Sequence, residues 1–131
     1  MTLSPEEQAR CVVVGRHRGV DYRLLIALRQ TENGRPGREF GVLSVPALTW
    51  DDQANAAAVT IRHTIGRFWI HTGDDAWDDT RTRYSDAFLR YFSRGGPGYD
   101  GYAPLKAEND PKDLNSNHYP NLLTFYRLAC T

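Results

Sequence analysis

Glu32 is the residue of this sequence best placed to do chemistry, because of what stands on either side of it. Segment 24–34 (LLIALRQTENG) reads as an apolar helix that ends on a carboxylate and turns through glycine. Leu25, Leu28 and Glu32 stand at i, i+3 and i+7, so the acid shares a face with the stripe that points inward. Gly34 stands where a left-handed residue would close the helix, which places Glu32 in its last turn. The helix dipole and the unpaired carbonyls at that end disfavour a negative charge. Desolvation beside Leu28 and Phe40 acts in the same direction. A carboxyl group kept protonated near neutral pH is what donation of a proton to a leaving-group oxygen requires. The competing expectation is an inert, solvated glutamate that only snorkels from an apolar face.

Glu32 depends on several elements for its position. Ser4-Pro-Glu-Glu7 has the cap, the first-turn proline and the acid of a capping box. It predicts a first helix to about Gly15 that buries Ala9, Val12, Val13 and, in part, Cys11, followed by a turn over 15–19. Asp21 caps the helix that ends at Glu32. Residues 35–41 form a loop punctuated by Pro36 and Gly37, and 42–45 form a short strand-like piece before Pro46. Thr49 caps a third helix with acids in its first turn. There Ala54, Ala57, Ala58, Ile61, Ile65, Phe68 and Trp69 recur at helical spacing, the strongest periodic signal in the chain. This helix is expected to be the one against which the Glu32 helix packs. An acidic loop over 73–79 lacks the glycine and terminal glutamate of a calcium loop and reads as solvated. Ser85 caps a short helix over 86–93 that buries Phe88, Leu89 and Phe92, stopped by the glycines of 95–98. A long polar loop over 99–116 precedes a final helix over 117–130 that buries Leu122, Phe125, Leu128 and Ala129. His17 and His63 read as surface residues and His71 as a helix-end cation.

The segments 27–34 (ALRQTENG) and 39–42 (EFGV) resemble the lysozyme-like superfamily, in which a catalytic glutamate ends a helix before Ser/Asn-Gly and a short Phe-Gly piece follows. The nearest pattern is that of the glycoside hydrolase family 73 glucosaminidases and related phage or cell-wall hydrolases. Segments 84–91 and 102–104, and the stretch from Tyr119 to Tyr126, are similar in layout to the C-terminal half of that family. The resemblance covers roughly residues 20 to 128, with the Glu-Asn-Gly and Phe-Gly pieces as its specific parts. It implies a mainly α fold: a lysozyme-like helical domain with a much reduced β-lobe, spanning 1–131 as a single domain. It also implies a peptidoglycan hydrolase that cleaves the β-1,4 glycan backbone as an N-acetylglucosaminidase, muramidase or lytic transglycosylase. Glu32 is its proton donor, and Phe40 with Gly41 forms the cleft floor. Tyr119 lies where the family places a cleft tyrosine. Tyr102 and Asn115 suit a sugar cleft by residue type, since aromatic faces stack on pyranose rings and amides bridge hydroxyls.

The sequence departs from the family where the β-lobe should carry a second carboxylate. Two acids are the usual equipment of a glycosidase. Glu39 is the nearest candidate, although it stands between Arg35 and Arg38 and could simply pair with one of them; Asp51, Asp52, Asp74 and Asp75 follow. The other route uses one glutamate, with the acetamido group or the 6-hydroxyl of the sugar as internal nucleophile. A module that grips glycan without cutting it, or a structural part of a phage or secretion apparatus, is the alternative from another class. A helical scaffold with an accidental motif is a third.

Composition narrows the partners. The 131 residues carry 16 Lys+Arg and 16 Asp+Glu. That balance argues against the strong basic excess of a nucleic-acid footprint. The polar start carries no secretion leader and no apolar run spans a bilayer, so no stable membrane insertion is expected. An enzyme of the cell wall or periplasm would then need delivery by a phage particle, a pore, secretion machinery or a fusion. Cys11 and Cys130 lack any metal or redox spacing; they read as two free thiols, with a bridge closing a very long loop as the alternative. No cofactor is implied.

Overall fold

The computed structural model describes residues 2–42, 49–93 and 118–131. The described residues form five helices: α1 (Pro5–Arg18), α2 (Tyr22–Glu32), α3 (Trp50–Thr72), α4 (Asp86–Ser93) and α5 (His118–Ala129). No β-strand occurs among them, apart from one isolated antiparallel bridge between Trp77 and Tyr84. The expected mainly α fold is borne out. The strand-like piece expected over 42–45 lies outside the described residues beyond Val42, as does the polar loop expected over 99–116.

Local chemistry sets the helix starts. Ser4 Oγ accepts from the Glu7 amide, Asp21 Oδ1 from the Arg23 amide and Thr49 Oγ1 from the Asp52 amide. Each satisfies one of the amide donors that a helix N-terminus leaves unpaired. The Glu7 side chain does more than complete a capping box. Its Oε1 accepts from Arg29 Nε at 3.2 Å and Trp50 Nε1 at 2.8 Å, which ties α1 to α2 and to the start of α3.

Gly15 does not end α1. It is buried inside the helix, and a Cβ there would stand 2.7 Å from Tyr22 Cβ, so glycine lets α1 and α2 approach. The helix stops at Gly19, whose φ of 72° is a conformation that glycine adopts at little cost. The buried face also shifts by a residue: Cys11 and Val14 are inside, Ala9 and Val13 outside and Val12 between.

The stripe read on α3 holds for Ala54, Ala57, Ala58, Ile61 and Phe68, whereas Trp69 is 58% exposed. Gln53 and Thr64 complete the buried face in its place. The α2 helix packs most extensively against α5 and then α1, and touches α3 only along a short stretch. It is α1 that lies along α3, with Arg10 bonded to Asp51 and Arg18 to Asn55. On α4, Phe88 and Leu89 are buried while Phe92 is partly covered, and Phe68 meets Phe88 edge-on at 5.5 Å. On α5, Tyr119, Leu122 and Tyr126 form the inner face, while Leu128 is exposed and Phe125 and Ala129 are half-buried. Both cysteines are free. No helix among the described residues is long and apolar enough to cross a membrane.

Candidate functional site

The site is built at the C-terminal end of α2. Asn33, not Gly34, takes the left-handed position (φ 43°, ψ 43°), and its amide donates to Arg29 O at 2.9 Å. Asparagine tolerates this conformation better than most side chains. Glu32 is therefore the last helical residue, as the spacing predicts.

Beyond it the chain doubles back in a tight loop. Arg38 N–H donates to Arg35 O at 2.8 Å, and Gly41 N–H donates to Arg38 O at 3.0 Å. Glu39 lies in this loop 7% exposed, with its Oε1 accepting from Gly37 N–H at 2.9 Å. The expected second acid thus holds the turn together. Phe40 is 3% exposed and packs edge-on to Trp50 at 5.1 Å. It supports the loop from within the core, so its ring is not the floor of an open cleft.

Gln53 fixes the segment that follows. Fully buried on α3, its Oε1 accepts from Phe40 N–H at 3.1 Å and Val42 N–H at 3.2 Å, while its Nε2 donates to Val42 O at 2.8 Å. One side-chain amide satisfies three backbone groups that no neighbouring strand pairs among the described residues. It also sets Gly41 at φ 74° directly against the Glu32 side chain. A Cβ on Gly41 would stand 2.5 Å from Glu32 Oε2 and 2.6 Å from its Cδ, so the carboxyl lies where a side chain would otherwise be.

The other wall is His118, the first residue of α5, whose Nε2 is 2.9 Å from Glu32 Oε1. The Glu32 side chain is 32% exposed and that of His118 21%. Glu32 is consequently an exposed residue whose carboxyl meets a polar neighbour and a glycine, rather than one sunk among apolar side chains beside Leu28 and Phe40. Arg29, one turn before Glu32 on the same helix, faces Glu7 instead. Tyr119 is 7% exposed beneath the Arg90 guanidinium, which sits 5.0 Å above its ring, so it packs in the wall of α5. Tyr102 and Asn115 lie outside the described residues.

The aspartates considered as partners have other neighbours. Asp51 pairs with Arg10 at 2.9 Å. Asp52 is exposed in the first turn of α3. Asp74 and Asp75 line a polar groove of about 750 Å³ together with Trp69, Trp77 and Arg81, and Glu32 is not part of that lining. The Arg81 guanidinium, 2.8 Å from Asp75, holds that carboxyl below the usual carboxylate range.

Two residues central to this geometry escape a reading of the sequence. Gln53 left a signal, being a polar residue one turn before Ala57 on the apolar stripe. His118 left none, since nothing local connects positions 86 apart. The arrangement offers one carboxyl that can give up and regain a proton, braced by an imidazole and open to solvent over a third of its surface. No family model, characterised protein or solved structure matches this chain significantly.

Proposed function

We propose that this chain cleaves the β-1,4 glycan backbone of peptidoglycan, with Glu32 as general acid. The observation that carries the proposal is the setting of Glu32: a helix-terminal carboxyl seated on Gly41, bonded to His118 and still reachable from solvent. An inert surface glutamate has no need of a glycine beneath it. The likeness of the Glu-Asn-Gly and Phe-Gly segments to the lysozyme-like superfamily names the substrate class.

With the Glu39 carboxylate hydrogen-bonded to Gly37, the chemistry proposed is the single-glutamate route. Glu32 gives its proton to the glycosidic oxygen as the bond to the anomeric carbon breaks. The acetamido oxygen or the 6-hydroxyl of the same sugar closes on that carbon. In hydrolysis water then attacks the anomeric carbon, its bond to the acetamido oxygen breaks and the proton of the water passes to the Glu32 carboxylate; in transglycosylation the 6-hydroxyl gives its proton to that carboxylate as its oxygen bonds to the anomeric carbon. A positioned acid of this kind contributes about 10²–10⁴-fold.

The test is turbidity loss and fragment mass spectrometry on purified peptidoglycan, comparing wild type with Glu32→Gln. Expected is cleavage by the wild type and a loss of about 10³-fold in the variant, within the range for general acids. Reducing or anhydro ends name the class of product. The involvement of Glu39 in its own loop also favours a second reading, a module that grips glycan without cutting it. Equal binding by both proteins with no fragments from either would establish that instead.

A further inference from the structure

We propose that His118 is a positioning residue that decides which oxygen of Glu32 carries the catalytic proton; the inference rests on Glu32 being the acid. Two observations meet here. His118 Nε2 stands 2.9 Å from Glu32 Oε1, and His118 Nδ1 is buried with no hydrogen-bond partner among the described residues. A buried N–H without an acceptor is rarer than a buried acceptor without a donor. An imidazolium would place an N–H on buried Nδ1 with no acceptor, so the geometry favours the neutral ring, with its proton on Nε2 where Glu32 receives it and a lone pair on Nδ1.

That tautomer fixes the carboxyl in both of its states. In the acid form Oε1 accepts from Nε2–H and is the carbonyl oxygen, so the proton sits on Oε2, the oxygen lying over Gly41. Oε2 has no hydrogen bond among the described residues. When Oε2–H protonates the leaving oxygen, the negative charge left behind spreads to Oε1 and strengthens the bond from Nε2–H. The proton taken back from water or from the sugar hydroxyl returns to Oε2. No proton leaves the imidazole at any step. His118 holds one geometry from the acid to the base half of the cycle and supplies orientation, which is where misplacement of a catalytic group is most costly.

Among the described residues, the charged and titratable groups on the neighbouring elements have other partners. From α2 the nearest cation, Arg29, is bonded to Glu7. From the 34–41 loop Glu39 is turned to Gly37, and on α5 Tyr119 lies under Arg90.

The experiment has two arms. In the first, ring nitrogen-15 shifts of His118 are recorded at mildly alkaline pH in the whole chain and in Glu32→Ala. Expected is the Nε2–H tautomer in both proteins, with the Nε2 shift displaced in the variant by loss of its carboxyl acceptor; an Nδ1–H tautomer in the wild type, or an Nε2 shift unmoved by Glu32→Ala, would overturn the proposal whether or not the protein cleaves glycan. In the second, His118→Ala and His118→Gln are assayed on peptidoglycan. Expected is a drop of about 10²-fold in kcat for His118→Ala with KM within about 2-fold, the size of effect that misplacement brings. His118→Gln, which keeps a neutral N–H donor, should recover most of that loss. Wild-type kcat in His118→Ala, or no recovery in a folded His118→Gln, would overturn the positioning role. An inactive wild type would overturn the proposed function and with it the catalytic role of His118, while the nitrogen-15 arm still decides the contact with Glu32.

Discussion

At the scale of single residues, two glutamates seven apart in sequence have opposite environments. Glu32 presents a third of its side chain to solvent, while Glu39 is buried and faces a backbone amide. A carboxylate that accepts from a backbone N–H stabilises the loop whether or not chemistry follows, so the two roles separate by substitution. Glu39→Gln retains a carbonyl oxygen able to accept from Gly37 N–H. It should cost about 1 kcal/mol, the difference between a charge-assisted and a neutral hydrogen bond. Activity should stay within about 3-fold of wild type, because a general acid or base would contribute at least 10²-fold. A steady-state assay with urea unfolding of the same variant checks both numbers. A loss comparable to that of Glu32→Gln would make Glu39 the second carboxylate after all.

At the scale of elements, the site is a junction of α2, the 34–41 loop, α3 and α5. The loop is held by side chains, Glu39 within it and Gln53 from α3, rather than by a sheet. Gln53→Leu preserves bulk but removes three hydrogen bonds at once, leaving the amides of Phe40 and Val42 and the carbonyl of Val42 to find other partners. With unsatisfied buried groups costing about 1–3 kcal/mol each and partial relaxation toward water, a destabilisation of roughly 3 kcal/mol is expected. The Glu32 pocket should suffer beyond that loss, since Gly41 lies between Phe40 and Val42. Backbone amide exchange checks this directly. Protection should fall over 39–42 by more than the global change in stability accounts for, while α1 changes only with the global stability.

At the scale of the whole molecule, one buried polar network joins both ends of the fold. Asp21, capping α2, receives Arg23 through both oxygens and the Tyr126 hydroxyl at 2.6 Å. Tyr126 also accepts from Tyr84 N–H at 2.7 Å, and the Tyr84 hydroxyl accepts from Asp21 N–H at 3.0 Å. Burial pushes the Tyr84 phenol up from 10.0 to about 12 and, aided by the neighbouring Asp21, raises that of Tyr126 as well. Burial and, to a lesser degree, Glu7 push the Cys11 thiol up from 9.0 to about 12, against the smaller opposing effects of Arg29 and Arg10. These groups fold in their neutral forms and ionise more readily when unfolded. Their contribution is complete below the unfolded values and disappears as pH rises through the folded ones. The contribution of these three groups should therefore be level below about pH 9 and fall steeply from there to about pH 12. Tyr84 alone accounts for on the order of 2 kcal/mol of that fall. Urea midpoints measured across this range check it. Cys11→Ala should lower the plateau by leaving a small cavity and flatten the early part of the decline.

The helical character of the chain and the starts of its first four helices were legible in the sequence, because an N-cap is chemistry within three residues. Ser4, Asp21, Thr49 and Ser85 each bond the amide two or three positions on, and that bond needs nothing from the rest of the fold. The position of Glu32 at the end of α2 was legible for the same reason. What surrounds Glu32 was not. Gly15 reads as a stop in sequence and is a contact point in space, because its meaning depends on where Tyr22 lies. Trp69 fits the apolar stripe of α3 by spacing and stays in solvent, since only the placement of α4 decides how wide that stripe must be. His118 and Gln53 reach their partners across 86 and 11–13 positions. The sequence by itself determined where a carboxyl would end a helix; the tertiary structure alone decided its neighbours, because these contacts arise from the packing of separate helices and leave no period or motif in the chain.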